Sequence, residues 1–328
     1  METTNKVEVK NRLLFMDSSP LGHVSDSTVK IMYTVCITLL PALAVSVWMF
    51  GWEAVRVIVL TSVFTIAIEA IISKMVSYKV NFMDGSALLT GILLAMNIPA
   101  NSPWWMILVG ALVAVILGKH VFGGLGQNIF NPALVARVFL IISFPVEMTS
   151  WPKPLVYDST TGATPLGILK TEGLGALAGT NLTDLAIGQM GGSLGEISAI
   201  ALLLGAIWLF IKKYITWEIP VMFFATVAVF AGIFHLIDPQ TYASPLFHLL
   251  TGGVFLGALY MATDMVTSPM TFKGKLIFGF GCGFFTMLIR LFGSYPEGVS
   301  FAILLMNAMV PLLDSYFPDQ KFGMVKNG

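Results

Sequence analysis

The sequence predicts an all-α polytopic membrane protein, with about ten transmembrane helices in two inverted five-helix repeats. Three observations lead there: a shortage of charge, the number of apolar runs, and the uneven placement of lysine and arginine. Of 328 residues only 36 are charged, 18 of each sign, against 56% hydrophobic. A soluble domain of this length carries roughly 80. The mean hydropathy of +0.83 agrees. This composition excludes a soluble α/β enzyme, a disordered chain and a nucleic-acid binder. It leaves a chain whose main partner is the lipid bilayer.

A helix needs about 20 apolar residues to cross the hydrocarbon core. In chain order the candidate spans are 31–51, 55–73, 85–98, 103–120 and 131–146, then 197–213, 217–236, 244–260, 275–292 and 297–313. Two of them, 85–98 and 131–146, are shorter than a standard span. Residues 1–30 are polar, contain Lys6, Lys10, Arg12 and Lys30, and carry no convincing signal-peptide cleavage signature. With this tail inside and each span alternating, 13 of the 18 basic residues fall inside. Only Arg56, Lys153, Lys170 and Arg290 fall outside, and Arg137 lies within a span. That asymmetry sets both termini on the cytoplasmic side. The expected organisation is a cytoplasmic tail (1–30), a first five-helix repeat (31–146), an extracytoplasmic loop (147–196), a second five-helix repeat (197–313) and a cytoplasmic tail (314–328). The loop is rich in Gly, Thr and Pro and is expected to pack on the membrane surface.

Leu88-Leu89-Thr90-Gly91 recurs as Leu249-Leu250-Thr251-Gly252, in the third span of each half. Breaks follow at Asn97-Ile98-Pro99 and at Thr263-Asp264 and Ser268-Pro269. Two halves with an odd number of spans are related by inverted topology, and transporter sites often lie at such interrupted helices. Chance identity between Leu-rich helices is the competing explanation. Cys36 and Cys282 both lie in apolar runs and imply neither a disulfide framework nor a zinc site. His23, His120, His235 and His248 are scattered without metal-ligand spacing. No metal ligand and no catalytic residue is assigned.

The run Asp158-Ser159-Thr160-Thr161-Gly162-Ala163-Thr164-Pro165 reads from composition as a turn ahead of a proline. It also resembles the flavinylation motif Asp-x-x-Ser/Thr-Gly-Ala-Thr, through Asp158, Thr161, Gly162, Ala163 and Thr164. Further stretches resemble the same family: 126–133, 261–269 and 297–302. Over residues 30–315 the chain resembles the RnfD component of the Rnf complex, in the family shared with the NqrB component of the sodium-translocating NADH:quinone reductase. The short N-terminal region favours the Rnf component.

That resemblance implies FMN joined to Thr164 through a phosphoester, on the outer face, with Asp158 orienting the loop or serving recognition by the transferase. It implies a urea-transporter-like architecture in a bacterial or archaeal cytoplasmic membrane. It implies electron transfer between ferredoxin and NAD⁺ together with Rnf subunits A, B, C, E and G, outward movement of H⁺ or Na⁺, and NAD⁺ chemistry on another subunit. A quinone-reductase-type component and a flavin-free channel are the alternatives. Asn128, Asn131 and Pro132, with residues 263–269, are expected to form a cytoplasmic-side pocket for a second, non-covalent flavin (riboflavin or FMN). Helix capping by Asn131 before Pro132 is the plainer reading.

Glu69, Arg137, Asp264, Arg290 and Glu297 lie in or at the ends of spans. Such charges face the bundle interior and pair. Arg137 is expected to pair with Glu69 or to neutralise a flavin phosphate, and Glu297 to stand at an ion entry, with interhelical pairing an equally good reading for each. Lys153 and Lys170 flank the motif, as loop solvation or as counter-charges to flavin. No chain of carboxylates marks an ion path.

Overall fold

A computed structural model describes residues 27–75, 83–152, 154–155, 161–177, 182–188 and 191–318. Asp158, Lys153 and most of both expected tails lie outside these residues. α1 (Thr28–Phe50) starts where Ser27 Oγ accepts from Lys30 N at 3.2 Å and stops at Gly51, at φ +60°. α2 (Trp52–Met75) runs back beside it. α3 (Ser86–Ala95) begins at Asp84, whose Oδ1 accepts from Ser86 N at 2.8 Å. α4 (Trp104–Leu112) passes into a π-turn, Val113–Leu117. α5 (Pro132–Ser143) has Asn131 as N-cap, accepting from Ala133 N and Leu134 N, with Pro132 in its first turn. There the missing N–H costs nothing.

Beyond α6 (Pro145–Thr149) a short antiparallel ladder pairs β1 (Trp151–Pro152) with β2 (Thr161–Gly162). α7 (Pro165–Glu172) and α8 (Leu182–Ile187) follow. α9 (Ala199–Ile211) is capped by Ser198, and α10 (Glu218–Ile237) returns. α11 (Pro245–Leu250) and α12 (Val254–Leu256) are separated by a break, and α12 continues as a second π-turn, Gly257–Met261. α13 (Phe272–Phe292) and α14 (Val299–Tyr316) complete the bundle.

The protein is all-α and has several membrane-spanning helices, but the expected ten spans in two inverted, urea-transporter-like repeats do not hold. Among the described residues, six helices are long and apolar enough to cross: Thr28–Phe50, Trp52–Met75, Trp104–Phe122, Glu218–Ile237, Phe272–Phe292 and Val299–Tyr316. The stretches expected at 85–98, 131–146 and 197–213 form helices of 10, 12 and 13 residues. At 1.5 Å per residue these reach only about 15–20 Å of a core roughly 30 Å thick. The stretch at 244–260 breaks at Thr251–Gly253, where Gly252 and Gly253 take φ of +68° and +67°. The four-residue echo does not survive either. Leu88–Gly91 is helix interior, whereas Thr251 and Gly252 form the break.

Large apolar side chains such as Trp48 and Leu236 point outward, 72% and 83% exposed, as expected of a lipid-facing surface. Inside, small residues let backbones approach. A Cβ at Gly91 would stand 2.8 Å from Ser62 Cα, so α3 lies directly on α2. A Cβ at Gly283 would stand 2.7 Å from Thr226 Cβ and 2.9 Å from Phe223 O, fixing α13 against α10. Because backbone cannot yield as a flexible side chain does, Gly283→Leu is expected to destabilise the chain by about 1–3 kcal/mol, with Gly283→Ala milder. Thermal unfolding in detergent reads the difference.

Candidate functional site

The interior is polar at three levels, which the helix ends create. At one end of the bundle, lined by Ile31 and Met32 of α1, lies a cavity that opens to the outside. Both π-turns deliver residues to its wall: Lys119 follows the first, and Thr263 and Asp264 follow the second. π-turns recur at functional sites because the extra residue re-aims the side chains after it. Asn128 and Asn131 line the same cavity. Asn131 Nδ2 donates to Met261 O at 3.4 Å, so the Asn131 side chain joins α5 to the second π-turn as well as capping α5. Asn128 Nδ2 donates to Phe130 O at 3.1 Å, while its buried Oδ1 has no donor. Asp264 accepts from Thr267 Oγ1 at 3.0 Å, and burial raises its carboxyl above the ordinary value. Beside the cavity Lys119 Nζ stands 2.8 Å from Glu69 Oε1 and 2.7 Å from Ser86 Oγ.

The second level is the middle of the bundle, where α3 stops, α14 starts and the connection 191–198 enters. Arg137 on α5 donates to Asn97 Oδ1 at 2.6 Å and to Glu196 Oε1 at 3.4 Å, and pairs closely with Glu297 Oε2. All four residues are buried. The connection 191–198 supplies backbone as well: Gly195 N donates to Met96 O at 2.7 Å, and Leu194 O accepts from Ser46 Oγ at 2.6 Å. Residues 191–198 are therefore an inserted plug, not a surface strand.

The third level is the end where Leu155 N donates to Met49 O near the close of α1. Thr164 is the N-cap of α7: its Oγ1 accepts from Gly167 N at 3.1 Å and its carbonyl from Ile168 N at 2.9 Å. Pro165 in the first turn presets the helix. Gly162 lies in β2, Ala163 links it to Thr164, and the backbone of Thr161 pairs with Pro152. A Cβ at residue 167 would crowd Thr164 Oγ1 at 3.2 Å, so the glycine keeps the space beside that oxygen open. α7 is tied down at its other end, where Lys170 Nζ donates to Tyr295 O at 3.0 Å, to Arg290 O at 3.4 Å and to Gly293 O. Partial burial lowers the Lys170 ammonium below the ordinary lysine value. Arg290 donates to His248 O, Thr251 O and Gly252 O, capping the break between α11 and α12.

Several sequence-based expectations meet these facts. Asn128, Asn131, Pro132 and residues 263–266 do come together at one cavity, whereas Thr267, Ser268 and Pro269 of the expected 263–269 do not line it. Arg137 does not pair with Glu69: its carboxylates are Glu297 and Glu196, and Glu69 binds Lys119. Glu297 is held by Arg137 instead of standing at an entry. Glu196, Asn97 and Lys119 lie outside the site residues that the sequence predicts. Their signal was weak, since Glu196 sits in a Gly-rich loop and Lys119 reads as one of the inside loop cations.

The family model described as NQR2, RnfD, RnfE matches residues 15–323. The chain belongs to that family. It is 43% identical over 326 residues to the D subunit of the proton-translocating ferredoxin:NAD(+) oxidoreductase complex of Clostridium ljungdahlii, covering 97% of this chain and 98% of the relative. It is 44% identical over 315 residues to the D subunit of the Na(+)-translocating ferredoxin:NAD(+) oxidoreductase complex of Acetobacterium woodii, covering 95% and 96%. The D subunit of the ion-translocating oxidoreductase complex of Stutzerimonas stutzeri is 40% identical over 335 residues, covering 93% and 95%. This NQR2, RnfD, RnfE member is thus a multi-pass membrane subunit of an Rnf/Nqr-type ion-translocating oxidoreductase complex.

Removing Arg137 strands two buried carboxylates. Arg137→Met is expected to cost about 3–5 kcal/mol, and adding Glu196→Gln and Glu297→Gln to recover most of it, by thermal unfolding in detergent.

Proposed function

We propose that this chain carries electrons through the membrane part of its complex on two flavins: FMN esterified to Thr164, and a non-covalent riboflavin or FMN in the cavity at the opposite end. Electrons pass between ferredoxin and NAD⁺ with Rnf subunits A, B, C, E and G, and the NAD⁺ chemistry occurs on another subunit. The transfer drives H⁺ or Na⁺ outward across a bacterial or archaeal cytoplasmic membrane, with the Thr164 loop extracytoplasmic and the termini cytoplasmic. Relatives at 43% and 44% identity are named for protons and for sodium respectively, so similarity of this degree leaves the ion open.

The observation that carries the reading is the run Asp158 to Thr164 ending in a hydroxyl at the N-terminus of a helix. A phosphoester there meets the positive end of the α7 dipole, with the Gly167 N–H already directed at Thr164 Oγ1. A Cβ at residue 167 would crowd Thr164 Oγ1, and Thr164 is 4% exposed in the unmodified chain. Asp158 and Thr161 complete the motif. In the cavity, the unpartnered Oδ1 of Asn128 suits an N–H of a flavin ring, beside the apolar side chains of Leu93, Leu125 and Leu259. A flavin supplies two-electron acceptance and one-electron release, which bridges one-electron and two-electron partners. Arg137 lies between the two ends and is bonded to carboxylates, so its part is to hold the interior together. The same family includes the NQR2 component, and the ferredoxin:NAD(+) relatives favour the Rnf reading over a quinone-reductase one. A flavin-free channel has no use for the motif.

Expressed in a host that has the flavin transferase, the chain is expected to show yellow-green fluorescence on a denaturing gel, and Thr164→Val to abolish it. A dark wild-type band rejects the covalent flavin.

A further inference from the structure

A line of polar contacts joins the protein surface to the cavity wall. His120 Nε2 stands 3.2 Å from Glu69 Oε2. Glu69 Oε1 stands 2.8 Å from Lys119 Nζ, and Lys119 Nζ donates to Ser86 Oγ at 2.7 Å. The His120 side chain is 14% exposed, while Lys119 and Glu69 are 3% and 1% exposed. Lys119 and Ser86 both line the cavity. Every step of this line is within reach of proton transfer, and every member can hold or release a proton.

A structural ion pair needs only Glu69 and Lys119, and a buried pair adds little to stability by itself. Two features go beyond that. Glu69 Oε2 and His120 Nε2 face each other, yet neither has a well-formed hydrogen bond. This is a carboxylate oxygen and an imidazole nitrogen with room for a proton between them. Secondly, the π-turn Val113–Leu117 re-aims the chain just before Lys119, which puts its ammonium at the cavity instead of on the surface. The other titratable groups around the line are Asp84, which accepts from Ser86 Oγ at 2.6 Å, and, across the cavity, Asp264, bonded to Thr267, Tyr260, which donates to Leu202 O at 3.2 Å, and Tyr214.

We infer that His120, Glu69 and Lys119 form a proton relay from the surface into the cavity, matching negative charge that arrives on the cavity's occupant. This rests on the reading of the cavity as a flavin site. Electrons come from the oxidoreductase chemistry of the complex and none passes through the relay. One N–H bond of the Lys119 ammonium breaks, and the proton goes to a basic atom of the occupant. Glu69 accepts a proton from the His120 imidazolium and passes it to the Lys119 amine, and His120 recovers a proton from water. The net result is one proton drawn from one side of the membrane for each negative charge added. Lys119 is the member that touches the occupant, whereas Glu69 and His120 act through it.

The test uses the purified whole complex, with acid-extractable flavin measured alongside. Time-resolved infrared spectra after rapid reduction are expected to show a transient carboxyl C=O band that is missing in Glu69→Gln, because Glu69 holds the proton only in passage. Proton uptake after reduction, followed with an indicator dye, is expected to slow at least tenfold in that variant. A C=O band and an uptake rate unchanged in Glu69→Gln, with flavin content normal, overturn the relay and leave the flavin reading standing. No extractable flavin in the wild type overturns both. Should Glu69→Gln fail to assemble, His120→Gln at the surface end is expected to slow uptake, with rescue by added imidazole. Wild-type uptake in His120→Gln overturns the proposal.

Discussion

The interior of this protein depends on the guanidinium of Arg137. Short helices that stop inside a membrane bundle leave backbone and side-chain polar groups where no water reaches them, and each such group must find a partner within the protein. Arg137 stands where α3 ends and α14 begins and binds Asn97, Glu196 and Glu297 at once. Through Glu196 it also holds the plug 191–198, whose Gly195 N–H closes the end of α3 at Met96. Arg290 does the same for the break between α11 and α12, using only backbone carbonyls. Two buried cations thus replace the continuous hydrogen bonding that full-length helices would have supplied.

This arrangement divides the bundle into two ends with different chemistry. Met32 lines the cavity and Met49 O meets the loop at Leu155. From one to the other α1 rises about 26 Å at 1.5 Å per residue. A polar column connects the ends in part: Asn131 bonds Met261, Met261 Sδ lies 3.7 Å from Asn97 Nδ2, and Asn97 bonds Arg137. At the loop end, α7 is fastened by its own first turn at Thr164 and by Lys170 on the carbonyls closing α13. A group tethered at Thr164 therefore sits on a fixed element, and a short tether gives it a high effective concentration with few packing contacts.

Much of this was legible in the sequence, for identifiable reasons. Few charges meant a membrane protein because composition is independent of fold. The cap at Asn131 and Pro132 was legible because it is local. The gathering of Asn128, Asn131 and 263–266 followed from placing each near a helix break. What could not be read depends on depth and pairing. Hydropathy does not distinguish a helix that crosses from one of similar composition that stops inside, so the spans were overcounted. Glu69 was offered to Arg137 because both are embedded, yet Lys119, read as a loop cation, takes it. Glu196 was missed because a Gly-rich connection normally lies on a surface, and here it fills the gap that short helices leave.

The function proposed for this chain turns on a flavin covalently attached at one residue. Intact-mass measurement of the purified protein, followed by peptide mapping, tests it most directly. The predicted result is a gain equal to FMN less one water, confined to the peptide containing Thr164. An unmodified mass from a host that possesses the transferase, or the same gain on a different peptide, contradicts it.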